Sequence, residues 1–67
     1  MIVLNGEACD LDEGETLLGV LARLGLEADE RGVAVAVDGE VVPRGDWGSF
    51  APERDARVEV LRAMQGG

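Results

Sequence analysis

A chain of 67 residues has room for one small domain, near the lower limit at which a hydrophobic core alone sustains a fold. One cysteine and no histidine exclude an internal disulfide and a zinc set, and a net charge of −8 disfavours phosphate backbones while favouring partners with basic faces. The absence of His, Lys and Tyr, with Thr16 and Ser49 as the only Ser/Thr hydroxyls, removes most nucleophiles and bases that work near neutral pH, so no enzymatic activity is expected.

A single thiol suits a reducing cytoplasm. No apolar run approaches the roughly 18 residues needed to cross a bilayer, and no basic segment precedes the first apolar residues. A soluble, cytoplasmic protein, unprocessed at its N-terminus, is expected.

Met1 to Leu4 is apolar and partly β-branched, and Asn5-Gly6 is a favoured two-residue type I′ turn. Glu7 to Leu11 alternates after it, which predicts a β-hairpin with Ile2, Leu4, Cys9 and Leu11 on its core face. Cys9 then reads as a small buried apolar residue. The polar turn at residues 12–15 leads to Thr16, a candidate helix cap whose preceding carboxylates suit the positive end of the helix dipole. Leu17, Val20, Leu21 and Leu24 recur at helical spacing, and Gly25 stands where a helix ends. Gly19 inside that helix carries a penalty of about 1 kcal/mol relative to alanine, so packing must hold the helix in place.

Residues 26–32 form a polar connector with no evident chemistry. Val33 to Val37 alternates large and small β-formers, Asp38-Gly39 turns the chain, and Glu40 to Val42 is a return strand stopped by Pro43. Residues 44–55 read as a loop anchored to the rim of the core by Trp47 and Phe50. Arg57 to Ala63 alternates again, with Val58 and Val60 facing inward. One helix can cover one face of a mixed four- to five-stranded sheet, with the first and last strands as parallel central neighbours. This α+β, two-layer order is the β-grasp arrangement, with residues 1–63 as the domain and 64–67 as a flexible tail. Gly66-Gly67 ends that tail, and its carboxylate has no side chain beside it, so it can enter a narrow channel.

The segment from Val35 through Asp38-Gly39, Val42-Pro43-Arg44 and Trp47, together with the terminal Gly66-Gly67, resembles the bacterial ThiS family of ubiquitin-like sulfur carriers in thiamin biosynthesis. The N-terminal hairpin with Asn in its turn and the leucine helix extend the resemblance over the whole chain. It implies a cosubstrate whose Gly67 carboxylate is adenylated by a ThiF-like adenylyltransferase using ATP and Mg²⁺. Sulfur drawn from cysteine through a desulfurase would then replace AMP and leave a thiocarboxylate, which thiazole synthase would consume. Gly66 would supply access for the tail, and the carrier itself would bind no cofactor and no metal. Recognition is expected on the sheet face opposite the helix, at Val3, Ala36 and Leu61, with Arg44 and Arg62 nearby to meet acidic groups. Delivery of sulfur to molybdopterin, tRNA or cysteine synthesis remains open, as do a non-carrier binding module and a covalent protein modifier.

Overall fold

The computed structural model describes residues 1–27 and 31–62. Residues 28–30 of the connector, Ala63 and the tail 64–67, with Gly66 and Gly67, lie outside the described residues. Five strands, β1 (Ile2–Leu4), β2 (Glu7–Cys9), β3 (Val33–Val37), β4 (Glu40–Val42) and β5 (Arg57–Arg62), form one sheet in the order β2-β1-β5-β3-β4. β1 and β5 run parallel and the other pairs antiparallel, as expected for a β-grasp domain. The helix α1 (Leu17–Arg23) contributes Leu17, Val20 and Leu21 to a core shared with Ile2, Leu4, Val33, Val35, Val37, Val42, Val58 and Val60.

Both hairpins turn on two residues with positive φ. Asn5 and Gly6 stand at 49° and 85°, Asp38 and Gly39 at 50° and 87°, and the flanking pairs are Leu4 with Glu7 and Val37 with Glu40. Asn and Asp tolerate this conformation better than residues with bulkier side chains. β2 is shorter than the alternation suggested and ends at Cys9, although Leu11 still packs against the core. Cys9 is half-buried rather than fully enclosed.

The helix start differs from expectation. Thr16 occupies the cap position in extended conformation, but its side chain makes no capping hydrogen bond. Instead the Leu17 N–H donates to the Phe50 carbonyl at 2.9 Å, so the long loop satisfies the first turn from outside. No carboxylate lies in that first turn. Glu15 accepts from the Asp12 N–H at 3.0 Å and reaches along the helix to Arg23, which donates to it through Nη2 at 2.8 Å and Nε at 2.9 Å. The Arg23 hydrogen bond, helped by the Asp12 N–H, lowers the Glu15 pKa to about 2, and the same pairing raises that of Arg23.

This strap explains Gly19. A β-carbon there would lie 2.6 Å from Glu15 Cγ and 2.6 Å from its Oε2. The missing side chain is the slot in which Glu15 lies. At the other end, Gly25 has φ of 75°, its N–H donates to the Ala22 carbonyl, and the Leu26 N–H donates to the Leu21 carbonyl. These two bonds make a Schellman closure, with Leu26 packed against the core. Leu24 does not join the core stripe: as the last, capping residue it is 41% exposed.

Trp47 also departs from the expected rim position. It is 1% exposed, among the largest fully buried side chains, and its Nε1–H donates to the Val42 carbonyl at 2.9 Å. The segment after Pro43 winds into a 3₁₀ turn, Arg44–Asp46, which delivers the indole beneath β4. Phe50 is half-buried against the core, so it alone of the two aromatics stays near the rim.

Candidate functional site

β5 connects the core to the C-terminal residues, and it occupies the middle of the sheet. Its alternation drives Val58 and Val60 into the core and leaves Arg57, Glu59 and Leu61 on the opposite face. Two turn residues clasp it to its neighbours. Val60 N–H donates to Asn5 Oδ1 at 2.8 Å, and the Asn5 N–H donates to the Val58 carbonyl at 2.9 Å. At the other end Arg57 N–H donates to Asp38 Oδ1 at 2.9 Å, while the Asp38 N–H donates to the Arg57 carbonyl at 2.8 Å. The parallel register with β1 stops at Leu4, so the Asn5 side chain extends the ladder by one more bond.

Strand register assembles the outer face from residues far apart in sequence. Val3 lies beside Ala8 and Arg57, Ala36 lies between Glu59 and Val41, and Ala34 lies beside Leu61. Leu61 is 62% exposed and Val41 74%, whereas Val3 and Ala36 are half-buried. Val3, Ala36 and Leu61 therefore share one face, and two further apolar members, Val41 and Ala34, join them. The three-residue strand Glu40-Val41-Val42 is too short for alternation to reveal its faces, but the cue was present: buried Val42 next to the proline forces Val41 outward. A shallow depression on this face is lined by Val3, Asn5, Gly6, Arg57, Glu59 and Leu61.

The two arginines named with this face lie elsewhere. Arg44 sits in the 3₁₀ turn with its guanidinium carbon 4.6 Å from the Trp47 ring centroid, a cation–π contact that covers the indole. Arg62 pairs with buried Val33 and has the parity of Val58 and Val60, so it leaves β5 on the helix side of the sheet. Neither shares a strand face with Leu61. Among the described residues, no group of three or more His, Cys, Asp or Glu side chains is placed to hold a metal ion. No helix of the described residues is long and apolar enough to cross a membrane.

The outer face thus sets exposed Leu61, on the strand that leads to residues 63–67, beside apolar residues contributed by the neighbouring strands. Comparison with known proteins bears on what such a surface serves. A family model described as the ThiS family matches residues 2–67. A curated thiazole synthase of Magnetococcus marinus is 38% identical over 66 residues, a stretch that covers 98% of this chain and 20% of that protein. The chain therefore spans about a fifth of the length of the curated relative it matches. The crystal structure of a thiamine biosynthesis protein (ThiS) from Geobacter metallireducens superposes with a TM-score of 0.73 at 28% identity, covering 98% of this chain and 97% of that one.

Proposed function

The chain belongs to the ThiS family, and from that membership we propose that it carries sulfur for thiazole formation as a thiocarboxylate on Gly67. Membership supports a sulfur-carrier role, and the observation that carries the fuller reading is that the family match runs through Gly66 and Gly67. A carboxylate is a poor electrophile, so it must first be activated. In the proposed cycle a Gly67 carboxylate oxygen attacks the α-phosphorus of ATP on a ThiF-like adenylyltransferase that uses Mg²⁺, and pyrophosphate leaves. A persulfide sulfur, formed from cysteine on a desulfurase, then attacks the carbonyl carbon and displaces AMP, and a further thiol reduces the resulting acyl disulfide, releasing the thiocarboxylate and leaving a disulfide behind.

The chain's own residues act as a handle in this scheme. The core formed by residues 2–60 carries β5, and β5 carries the tail to the reacting enzymes. The resemblance to a segment of a protein named thiazole synthase supports thiazole synthase as the acceptor of the sulfur, because a carrier and its acceptor gain effective concentration when their sequences are joined. Intact-mass measurement of the full chain, incubated with the adenylyltransferase, ATP, Mg²⁺, cysteine, desulfurase and dithiothreitol as the thiol reductant, tests the reading. One oxygen replaced by sulfur is expected. An unchanged mass, under conditions that convert another ThiS protein, would rule it out.

A further inference from the structure

We propose that Asn5 is a deamidation site held in check by the fold. While its side chain clasps β5, the Gly6 nitrogen cannot reach the Asn5 amide; once β5 is released, Asn5 converts to isoaspartate and the clasp no longer closes.

Asn5 is the only asparagine in the chain, and glycine follows it. Glycine has no side chain to shield its backbone nitrogen, which leaves that nitrogen open to act as a nucleophile. When hydroxide removes the Gly6 amide proton, the nitrogen attacks Asn5 Cγ. The bond from Cγ to the side-chain nitrogen breaks, ammonia leaves after taking a proton from water, and a five-membered succinimide remains. Water then opens the ring at one carbonyl or the other to give aspartate or isoaspartate, with no change of oxidation state.

Solvent exclusion does not guard this site. Asn5 and Gly6 are both exposed, and a β-carbon on Gly6 would meet nothing within 4 Å. Conformation guards it instead. With φ at 49°, Asn5 lies in the left-handed region, where ψ is about 30–60°. That sets the Gly6 nitrogen nearly anti to the Asn5 β-carbon across the Cα–C bond, whereas the ring requires the two to be nearly eclipsed. The residue is held against that rotation from both ends: its N–H donates to the Val58 carbonyl at 2.9 Å, and its Oδ1 accepts the Val60 N–H at 2.8 Å. Leu4 and Glu7, paired across the turn, fix the backbone on either side. Cyclisation therefore requires β5 to let go first.

Isoaspartate carries the main chain through Cβ and Cγ, which adds a methylene to a two-residue turn and leaves a carboxylate on Cα where the backbone used to run. The acceptor for the Val60 N–H is then misplaced, so an opening that was reversible becomes permanent. Asp38-Gly39 repeats the arrangement on the other side of β5, with φ of 50° and Oδ1 accepting the Arg57 N–H at 2.9 Å. Its carboxylate is a poorer electrophile than an amide, which makes Asn5 the faster site of the two.

The test follows the full chain at mildly alkaline pH in buffer and across a urea series that ends in the unfolded chain. Deamidation is read as the exchange of NH for O in the tryptic peptide that ends at Arg23, which separates Asn5 from Gln65. Hydrogen exchange of the Val60 amide, measured by NMR on the same samples, reports release of the clasp. In buffer, deamidation should be at least about a hundredfold slower than in the unfolded chain. That slowing should be at least as large as the slowing of Val60 exchange, and both should vanish together as urea rises. The isolated isoaspartyl form should lose Val60 protection and melt below wild type, while Asn5→Asp should keep both. Deamidation in buffer as fast as in the unfolded chain, or slowed less than Val60 exchange, would overturn the proposal, since the reaction would then proceed with the clasp closed. An isoaspartyl form that melts with wild type would overturn it equally.

Discussion

Asn5 does two things at once. Its backbone holds φ at 49° in the hairpin turn, and its amide oxygen accepts the Val60 N–H from a strand 55 positions away. Replacing it with glycine keeps the turn and deletes only the acceptor. Asn5→Gly should therefore lose about 1–3 kcal/mol in urea unfolding, the penalty for a part-buried donor left without a partner. Asn5→Asp, which keeps an acceptor, should stay close to wild type. Equal unfolding midpoints for the glycine variant and wild type would mean that water replaces the amide. Trp47 is the second residue on which much depends. Truncation of a buried aromatic costs about 3–5 kcal/mol, against a total stability of about 3–10 kcal/mol expected for 67 residues. Trp47→Ala should be largely unfolded at room temperature by circular dichroism. Trp47→Phe should fold with a lowered melting point, since it keeps most of the volume and loses the bond to the Val42 carbonyl.

At the scale of elements, the helix is held by contacts that its own residues do not make alone. Seven residues form only about two turns, too few to be stable in isolation. The loop supplies an acceptor at the first turn, the Schellman bonds close the last, and Glu15 straps the exposed side to Arg23 across Gly19. The strap has a defined pH dependence. Glu15 has a folded pKa of about 2 against an ordinary 4.5, so its stabilisation is present in full above 4.5 and disappears as pH falls to about 2. The melting temperature of Glu15→Gln should lie below wild type at neutral pH, with the gap narrowing across that window and closing at its acid end. A gap that persists unchanged at the acid end would mean that the carboxylate charge is not what Arg23 requires. Gly19→Ala should likewise fail to show the gain that helix propensity alone promises, because its β-carbon displaces Glu15. The helix stripe, its glycine end and both hairpin turns were legible locally. The missing side-chain cap at Thr16 and the exposure of Leu24 were not, since the Phe50 carbonyl and the edge of the core decide them and both lie outside the helix.

For the molecule as a whole, the core draws its buried residues from Ile2 to Val60. Removing Gly66-Gly67 should therefore leave the melting temperature near that of wild type while abolishing thiocarboxylate formation, read by denaturation and intact mass on the same sample. Survival of function in the shortened chain would favour a binding module over a carrier. The net charge of −8 speeds encounter with basic surfaces in general.

The sequence by itself determined the two Asn-Gly and Asp-Gly turns, the alternating strands, the existence of the helix and the family pattern. Each is a local consequence of allowed φ/ψ space, side-chain periodicity or fixed spacing along the chain. Only the tertiary structure decided that Trp47 lies within the core, that Arg44 covers it, and that Arg62 leaves on the helix side. It also decided that Val3, Ala36, Val41, Glu59 and Leu61 share one surface. The physical reason is that register between distant strands follows from how the whole core packs, and a shift of one residue would turn each of these side chains to the opposite face.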